Sequence, residues 1–449
     1  MPLLLLVLFV LATPCFGAPS RPPNVIVVLV DDLGLTDLSC YGSQFYETPN
    51  IDQLAKDGVK FTQAYSASTV CSPTRAALLT GKYPARLHLT DWIPGYPSQA
   101  NKLKSPVWQM FLSPNEITLA QQFKSAGYAT ALIGKWHLSP SEKDADAYSP
   151  LKYGFDLNIG GCHLGQPGSF FSPYKIPTLT DSPNGEFLTD RESSEAVKFI
   201  EQNQAKPFFL YLAHYAVHQP IAGKPEVIKK FEQKDAHGLK HSNATYAALI
   251  SSVDDSLGQI RATLQRLKLS DNTIIVFTSD NGGLTPVTDN SPARAGKGSA
   301  YEGGVRVPFI IYGPSLSAPN SSEATPVSTI DIYPTVIEMS GITARPAVVD
   351  GLSLAPLLKA QTPLARTDLF WHYPHYHKTG GATPHSAIRS GDYRLVHFYE
   401  DDRDELYNLA TDPSETKDLA TTDSETRNRL RAKLDRWLKS VDAQLPETR

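Results

Sequence analysis

The sequence predicts an α/β protein with a large mixed, mostly parallel sheet sandwiched by helices, followed by a small strand-rich C-terminal unit with one helix. Continuous apolar runs recur along most of the chain, the pattern of strands buried on both faces. Helical patterns separate those runs, as a parallel sheet with crossover helices requires. Past Leu354 the pattern changes to strand-like alternation. With 449 residues, 41% apolar and 20% charged, the chain is long enough for one large domain and a smaller one.

Taken in chain order, the N-terminus reads as an export signal. Residues 3–11 form an apolar run too short to span a bilayer, and small residues flank a cut after Gly17. Residues 1–17 are therefore expected to be a signal peptide, and the protein to be exported, periplasmic or secreted, without a stable membrane anchor. Loss of Cys15 with the signal leaves Cys40, Cys71 and Cys162, an odd number for an exported protein. One cysteine is thus expected to have a role other than pairing, with Cys71 the candidate; spacing leaves a Cys40–Cys162 disulfide open.

Strands are expected at residues 25–30, 128–133, 208–212 and 273–277. Helices are expected at residues 51–57, 116–126 closed by Gly127, 190–202, 245–267 and 331–339. A further helix should begin at Cys71. Pro73 is tolerated in a first helical turn, Ala76-Ala77-Leu78-Leu79 favours helix, and Gly81 can stop it. Residue 71 then sits where free N–H groups and the helix dipole favour an anion, and Arg75, one turn on, can reach back to it.

Ligands gather at the carboxyl ends of strands in open α/β sheets. Asp31-Asp32, Lys135-Trp136-His137, His214 with His218, and Asp280-Asn281 follow the four expected strands. Each alone reads as a turn or a solvated loop; together they read as one site. Asp31, Asp32, Asp280 and Asn281 are a hard, all-oxygen donor set, suited to Ca2+ with Mg2+ as the alternative and poorly suited to zinc. Lys135, Lys297, Arg75 and the histidines would surround a transferred anionic group with positive charge. The net charge of −4 argues against a nucleic-acid partner, so positive charge has to be concentrated locally.

With Cys71-Ser72-Pro73-Thr74-Arg75 continuing through Leu79-Thr80-Gly81, the chain resembles the type I, formylglycine-dependent sulfatases of the alkaline-phosphatase-like superfamily. Val30-Asp31-Asp32-Leu33-Gly34, Gly134-Lys135-Trp136-His137, Val217-His218-Gln219-Pro220, Thr278-Ser279-Asp280-Asn281-Gly282-Gly283 and the glycine-rich stretch from Gly296-Lys297 to Val305-Arg306 extend the resemblance in order. The resemblance implies an alkaline-phosphatase-like fold with a small C-terminal antiparallel sheet plus helix. It also implies that a formylglycine-generating maturation enzyme oxidises Cys71 to Cα-formylglycine. The hydrate of that aldehyde would attack sulfur, forming a covalent sulfoenzyme that then releases sulfate. One Ca2+ would be held by Asp31, Asp32, residue 71, Asp280 and Asn281. Arg75 and Lys135 would stabilise deprotonated residue 71, and His137 would handle its proton. Lys297 and His218 would hold the sulfate oxygens and assist the departing oxygen, with His214 competing with His218 for that role. Cys162 and His163 are the candidates for one further polar position near the sulfate.

Residues 18–365 are expected to form the catalytic domain and residues 366–449 an α+β subdomain that completes the substrate pocket. Strand alternation at residues 386–389 and 393–399 and a helix at 427–441 define the latter. His372, His375 and His377, in a segment dense with aromatic rings, are candidates to line the substrate mouth, where rings stack on sugars and imidazoles donate to hydroxyls or sulfates. Export and this composition favour a sulfated carbohydrate as substrate. The alternatives are a phosphonate or phosphodiester hydrolase on the same scaffold, and an inactive protein that binds sulfated glycans. Intact Cys71, Arg75, Lys135, His137 and metal-ligand positions argue against the last.

Overall fold

A computed structural model of the protein describes residues 21–96, 101–182, 185–345 and 348–449; the expected signal peptide lies outside them. The first strand, Asn24–Val30, is buried along its whole length. Its side chains alternate between two separate cores. Ile26, Val28 and Val30 face helices Pro49–Asp57, Leu188–Gln202 and Ala244–Arg266. Val25, Val27 and Leu29 face Cys71–Thr80, Leu119–Ser125 and Ile332–Met339. A strand with apolar groups at every position is what a sheet covered on both sides needs.

Among the described residues this strand belongs to an eight-stranded sheet. The order is Ser321–Glu323, Val59–Phe61, Phe309–Tyr312, Thr273–Ser279, Asn24–Val30, Phe208–Ala213, Ala129–Gly134, Leu157–Ile159. Phe309–Tyr312 alone runs against the others. The mixed, mostly parallel sheet between helices is thus as expected, and the four expected strands are its centre. The other four have only three or four residues each, too few for a periodic signal.

Local caps move the helix ends. Leu119–Ser125 starts later than expected because Thr118 and Gln121 form a reciprocal cap, each side chain bonded to the other's backbone N–H. Ile332–Met339 follows a separate tight turn, Thr329–Asp331.

Asp368–Tyr373, His385–Ser390, Tyr393–Phe398 and Arg403–Asn408 form a four-stranded antiparallel sheet. One face, with Ile388, Leu395 and Leu406, packs on Leu430, Leu434 and Leu438 of helix Ser424–Ser440. The opposite face presses Trp371, Ala387 and Val396 against Tyr65, Ala300 and Val305, from segments that flank the large sheet. Arg394 crosses this junction buried, 2.7 Å from Glu302 and 3.5 Å from Glu415. Cys40, Cys71 and Cys162 are all free thiols.

Candidate active site

Cys71 opens the helix Cys71–Thr80, every residue of which is buried. Extended Val70 precedes it, and Gly81, at φ +69°, ends it with its N–H on the Ala77 carbonyl. Backbone bonds gather the strand-end loops around the helix start. The Lys135 N–H donates to the Ala213 carbonyl at 2.6 Å, that of Asp31 to Ala216 at 2.9 Å, and that of Asp280 to Val30 at 3.2 Å. Parallel strands ending level with one another thereby bring their polar residues to one place.

Three cations meet three carboxylates there. Lys135 Nζ lies 2.6 Å from Asp31 Oδ2, Lys297 Nζ 2.7 Å from Asp32 Oδ1, and Arg75 Nη2 2.8 Å from Asp280 Oδ2. Arg75 also donates to the Lys135 carbonyl at 3.0 Å. Its fork thereby braces two loops beside residue 71, close enough for the charge of Arg75 to be felt there. Burial is the largest influence and would raise the carboxyls of Asp31 and Asp32, but the neighbouring cationic groups together, led by Lys135 for Asp31 and Lys297 for Asp32, hold both below the usual range. Asp280 moves the other way, raised by burial and then by neighbouring Asp31. Burial opposes the charge of Lys297, yet Asp32 keeps it above its ordinary value.

His137 Nδ1 is 3.4 Å from Cys71 Sγ, and its Nε2 is 2.6 Å from the Ile93 carbonyl. A carbonyl only accepts, so Nε2 carries the proton and Nδ1 is left as the acceptor. Burial, and then Lys135, hold the ring far below its usual pKa, so it stays neutral. It is placed to take a proton from an atom at position 71. Burial raises the Cys71 thiol, against the opposing pull of Lys135 and Lys297.

Asp31, Asp32 and His218 each offer an atom within 4.8 Å of the others. Asn281 donates from Nδ2 to Asp32 Oδ1 at 2.8 Å, and the Asp32 N–H donates to Asp280 Oδ1 at 3.2 Å. Asn281 Oδ1 and Asp31 Oδ1 are buried acceptors with no hydrogen-bond partner. Orphaned oxygens beside three carboxylates fit a hard divalent cation. Such a cation would also loosen Lys135 and Lys297 from their acids and leave them to face an anion. His218, 3.5 Å from Asp32 Oδ2, sits on the rim of this set.

A cavity of about 330 Å3 opens over Cys71. His137, His163, His218, Lys297 and His377 line it, with apolar walls from Trp92, Tyr96, Leu164 and Leu284. His163 Nδ1 is buried without a hydrogen-bond partner. Gly298, at φ +75°, lets His377 lie against the Lys297 loop, since a Cβ there would fall 2.1 Å from His377 Nδ1.

Three of the histidines picked from sequence go elsewhere. His214 is buried, with Nδ1 2.6 Å from Glu192 Oε2 and Nε2 3.1 Å from Ser256 Oγ, so both nitrogens are occupied away from the cavity. His372 is likewise engaged at both nitrogens, by Ser386 Oγ and the Gln444 carbonyl. His375 bonds Thr90 Oγ1 at 2.8 Å and lines a neighbouring cavity. Conversely, Trp92 and Tyr96 were missed. Two aromatic rings in the short Pro- and Gly-bearing stretch Trp92-Ile93-Pro94-Gly95-Tyr96 were the available signal.

The sulfatase family model matches residues 23–342, and that of the N-sulphoglucosamine sulphohydrolase C-terminal region matches residues 296–444. A sulfatase of Formosa agariphila is 32% identical, over 93% of this chain and 89% of its own. Mouse N-acetylgalactosamine-6-sulfatase is 35% identical over 80% of this chain and 70% of its own, and human steryl-sulfatase 32% over 82% and 75%. Among solved structures, Ps i-CgsB superposes with a TM-score of 0.79 at 28% identity, covering 93% of both chains.

Proposed function

The chain belongs to the sulfatase family, and from that premise we propose that it hydrolyses sulfate esters of carbohydrates, with residue 71 as nucleophile after conversion to Cα-formylglycine. The observation that carries the reading is the placement of Cys71 at a buried helix start, beside neutral His137 and three paired cations, under one cavity. The thiol sulfur stands in for the oxygen of the aldehyde hydrate.

As a hydrate, formylglycine supplies one hydroxyl to attack sulfur and a second to release sulfate. Asp31, Asp32, Asp280 and Asn281, with residue 71, would hold a Ca2+ that neutralises the oxyanion charge. His137 Nδ1 accepts the proton at position 71. Lys135 and Arg75 favour its deprotonated form. Lys297 and His218 face the sulfate oxygens and the departing oxygen across the cavity. Residues 18–365 would form the catalytic unit and residues 366–449 would supply His377 to the mouth. Residues 1–17 would direct export to the periplasm or medium, and a formylglycine-generating enzyme of the host would act on residue 71 before the chain has folded. No helix among the described residues is long and apolar enough to cross a membrane.

Carbohydrate as the alcohol portion draws support from the N-acetylgalactosamine-6-sulfatase relatives and from the structure of Ps i-CgsB with k-i-k-neocarrahexaose. A second reading, small aryl or steryl sulfates, is favoured by the apolar walls at Trp92, Tyr96 and Leu284 and by the steryl-sulfatase relatives. The test is sulfate release by protein co-produced with a formylglycine-generating enzyme, with Cys71→Ala as control. Substrates are sulfated galactose, N-acetylgalactosamine and glucosamine oligosaccharides, together with aryl, steryl and phosphonate esters. Release from an oligosaccharide, abolished in the control, is the expected result. Turnover confined to aryl or steryl sulfates would overturn the carbohydrate assignment, and turnover confined to phosphonates the sulfatase chemistry.

A further inference from the structure

A second cavity, of about 530 Å3, adjoins the first. Tyr96 and His377 line both, their rings edge-on with centroids 5.7 Å apart, so these two rings form a wall common to both spaces. Asp91 lines the second cavity and is only 4% exposed. Its Oδ1 accepts from the Tyr373 hydroxyl at 2.7 Å and from the Trp92 N–H at 2.8 Å. Its Oδ2 has His375 Nδ1 at 3.9 Å, beyond hydrogen-bond reach, and so keeps acceptor capacity. Trp108, half-buried, offers an aromatic ring edge-on to His375. Positive charge comes from exposed Lys378, poised 5.4 Å over the Tyr96 ring, and from Lys104, which pairs loosely with Glu447 at 3.6 Å.

Each of these groups matches one part of a charged sugar. A buried carboxyl group exchanges hydrogen bonds with hydroxyls, an indole stacks on the apolar face of a pyranose, and lysines at the rim attract an anionic substituent. The first cavity, with its cations and His137, is devoted to the reacting sulfate. Building on the carbohydrate-sulfatase reading, we propose that the second cavity binds the sugar unit next to the one being desulfated, and that this unit itself carries a sulfate or carboxylate. The protein is thereby an enzyme of oligosaccharides, which spans at least two units across the Tyr96–His377 wall.

Binding by Cys71→Ala protein separates this subsite from turnover. Calorimetry would compare tetrasaccharides of a sulfated galactan and of a 6-sulfated galactosaminoglycan with the corresponding single sulfated sugars. One of the tetrasaccharides is expected to bind at least about tenfold more tightly than its single sugar, a difference of roughly 1.4 kcal/mol. Trp108→Ala and Lys378→Ala, each introduced into that protein, are expected to remove most of the difference, and the Lys378 effect should fade at high salt. Equal affinity for both lengths, or equal losses for both lengths in the two variants, would overturn the subsite. Length-dependent binding without sulfate release by the unmutated, matured protein would uphold the subsite and overturn the carbohydrate-sulfatase reading. Sulfate release without length dependence would do the reverse.

Discussion

Asp91 is an acid in surroundings that suit a neutral group. Burial raises its pKa to about 7, although bonds from Tyr373 and the Trp92 N–H pull the other way. An unfolded aspartate titrates near 3.9, so between about pH 4 and 7 the folded chain keeps a proton that the unfolded chain has released. The stability contributed by that proton is complete below the window and is lost as pH rises through 7. Asp91→Asn retains an acceptor for Tyr373 and carries no charge. Its melting temperature relative to the unsubstituted protein is expected to improve between pH 5 and pH 8; an unchanged difference would exclude Asp91 as the source. Residues such as this were not legible in the sequence, because Tyr373 arrives from a distant segment to bond the acid. Nor was the Ile93 carbonyl that fixes the His137 tautomer, since a backbone group has no residue type to read. Cys71, Asp31, Asp280 and Lys135 were legible because their chemistry directly follows an apolar run or opens a helix. His214 carried the same signal and failed, captured by Glu192 and Ser256 inside the core.

Among elements, the short helix Glu302–Val305 depends on the C-terminal sheet for its position. Glu302 accepts from Arg394 at 2.7 Å and from the Tyr65 hydroxyl at 2.9 Å, and its N–H donates to Glu415 at 2.7 Å. Gly282 lies against the same helix so closely that a Cβ would sit 1.7 Å from the Gly303 carbonyl oxygen. The loop bearing Lys297 leads directly into this helix. Glu415 is already held up to about 7 by burial, against the pull of Arg394. Arg394→Ala would leave two buried carboxylates short of a cation, and breaking such a group costs about 3–5 kcal/mol. Urea unfolding is expected to show a loss of that size, together with a lower kcat as Lys297 loosens; a loss under about 1 kcal/mol would remove the clamp from this account. The large sheet was legible where runs were long and lost where strands had three or four residues. The antiparallel Phe309–Tyr312 was lost for that reason, and its direction is set by pairing that no local pattern encodes.

Across the whole molecule, the site joins chain positions that are far apart: Asp31 and Asp32 near the start, Asp280 and Asn281 beyond the middle, and a C-terminal histidine over the mouth. A cation that binds the folded arrangement alone stabilises the entire fold, by about 2.7 kcal/mol at a hundred times its dissociation constant. Ca2+ is therefore expected to raise the melting temperature and a chelator to lower it, with both responses lost in Asp32→Ala; identical melting with and without Ca2+ in the matured protein would count against the site. The burial of the helix at residue 71 has a consequence in time. Residues 71–75 are each buried, Cys71 to 97%, and the cavity above them, about 330 Å3, is far too small for the cleft of a second enzyme. Under the proposed modification, the maturing enzyme has to grip this segment while the polypeptide is still emerging or unfolded. Chains that fold first are locked out of activity, and the order of biosynthetic events becomes as much a condition of catalysis as any side chain.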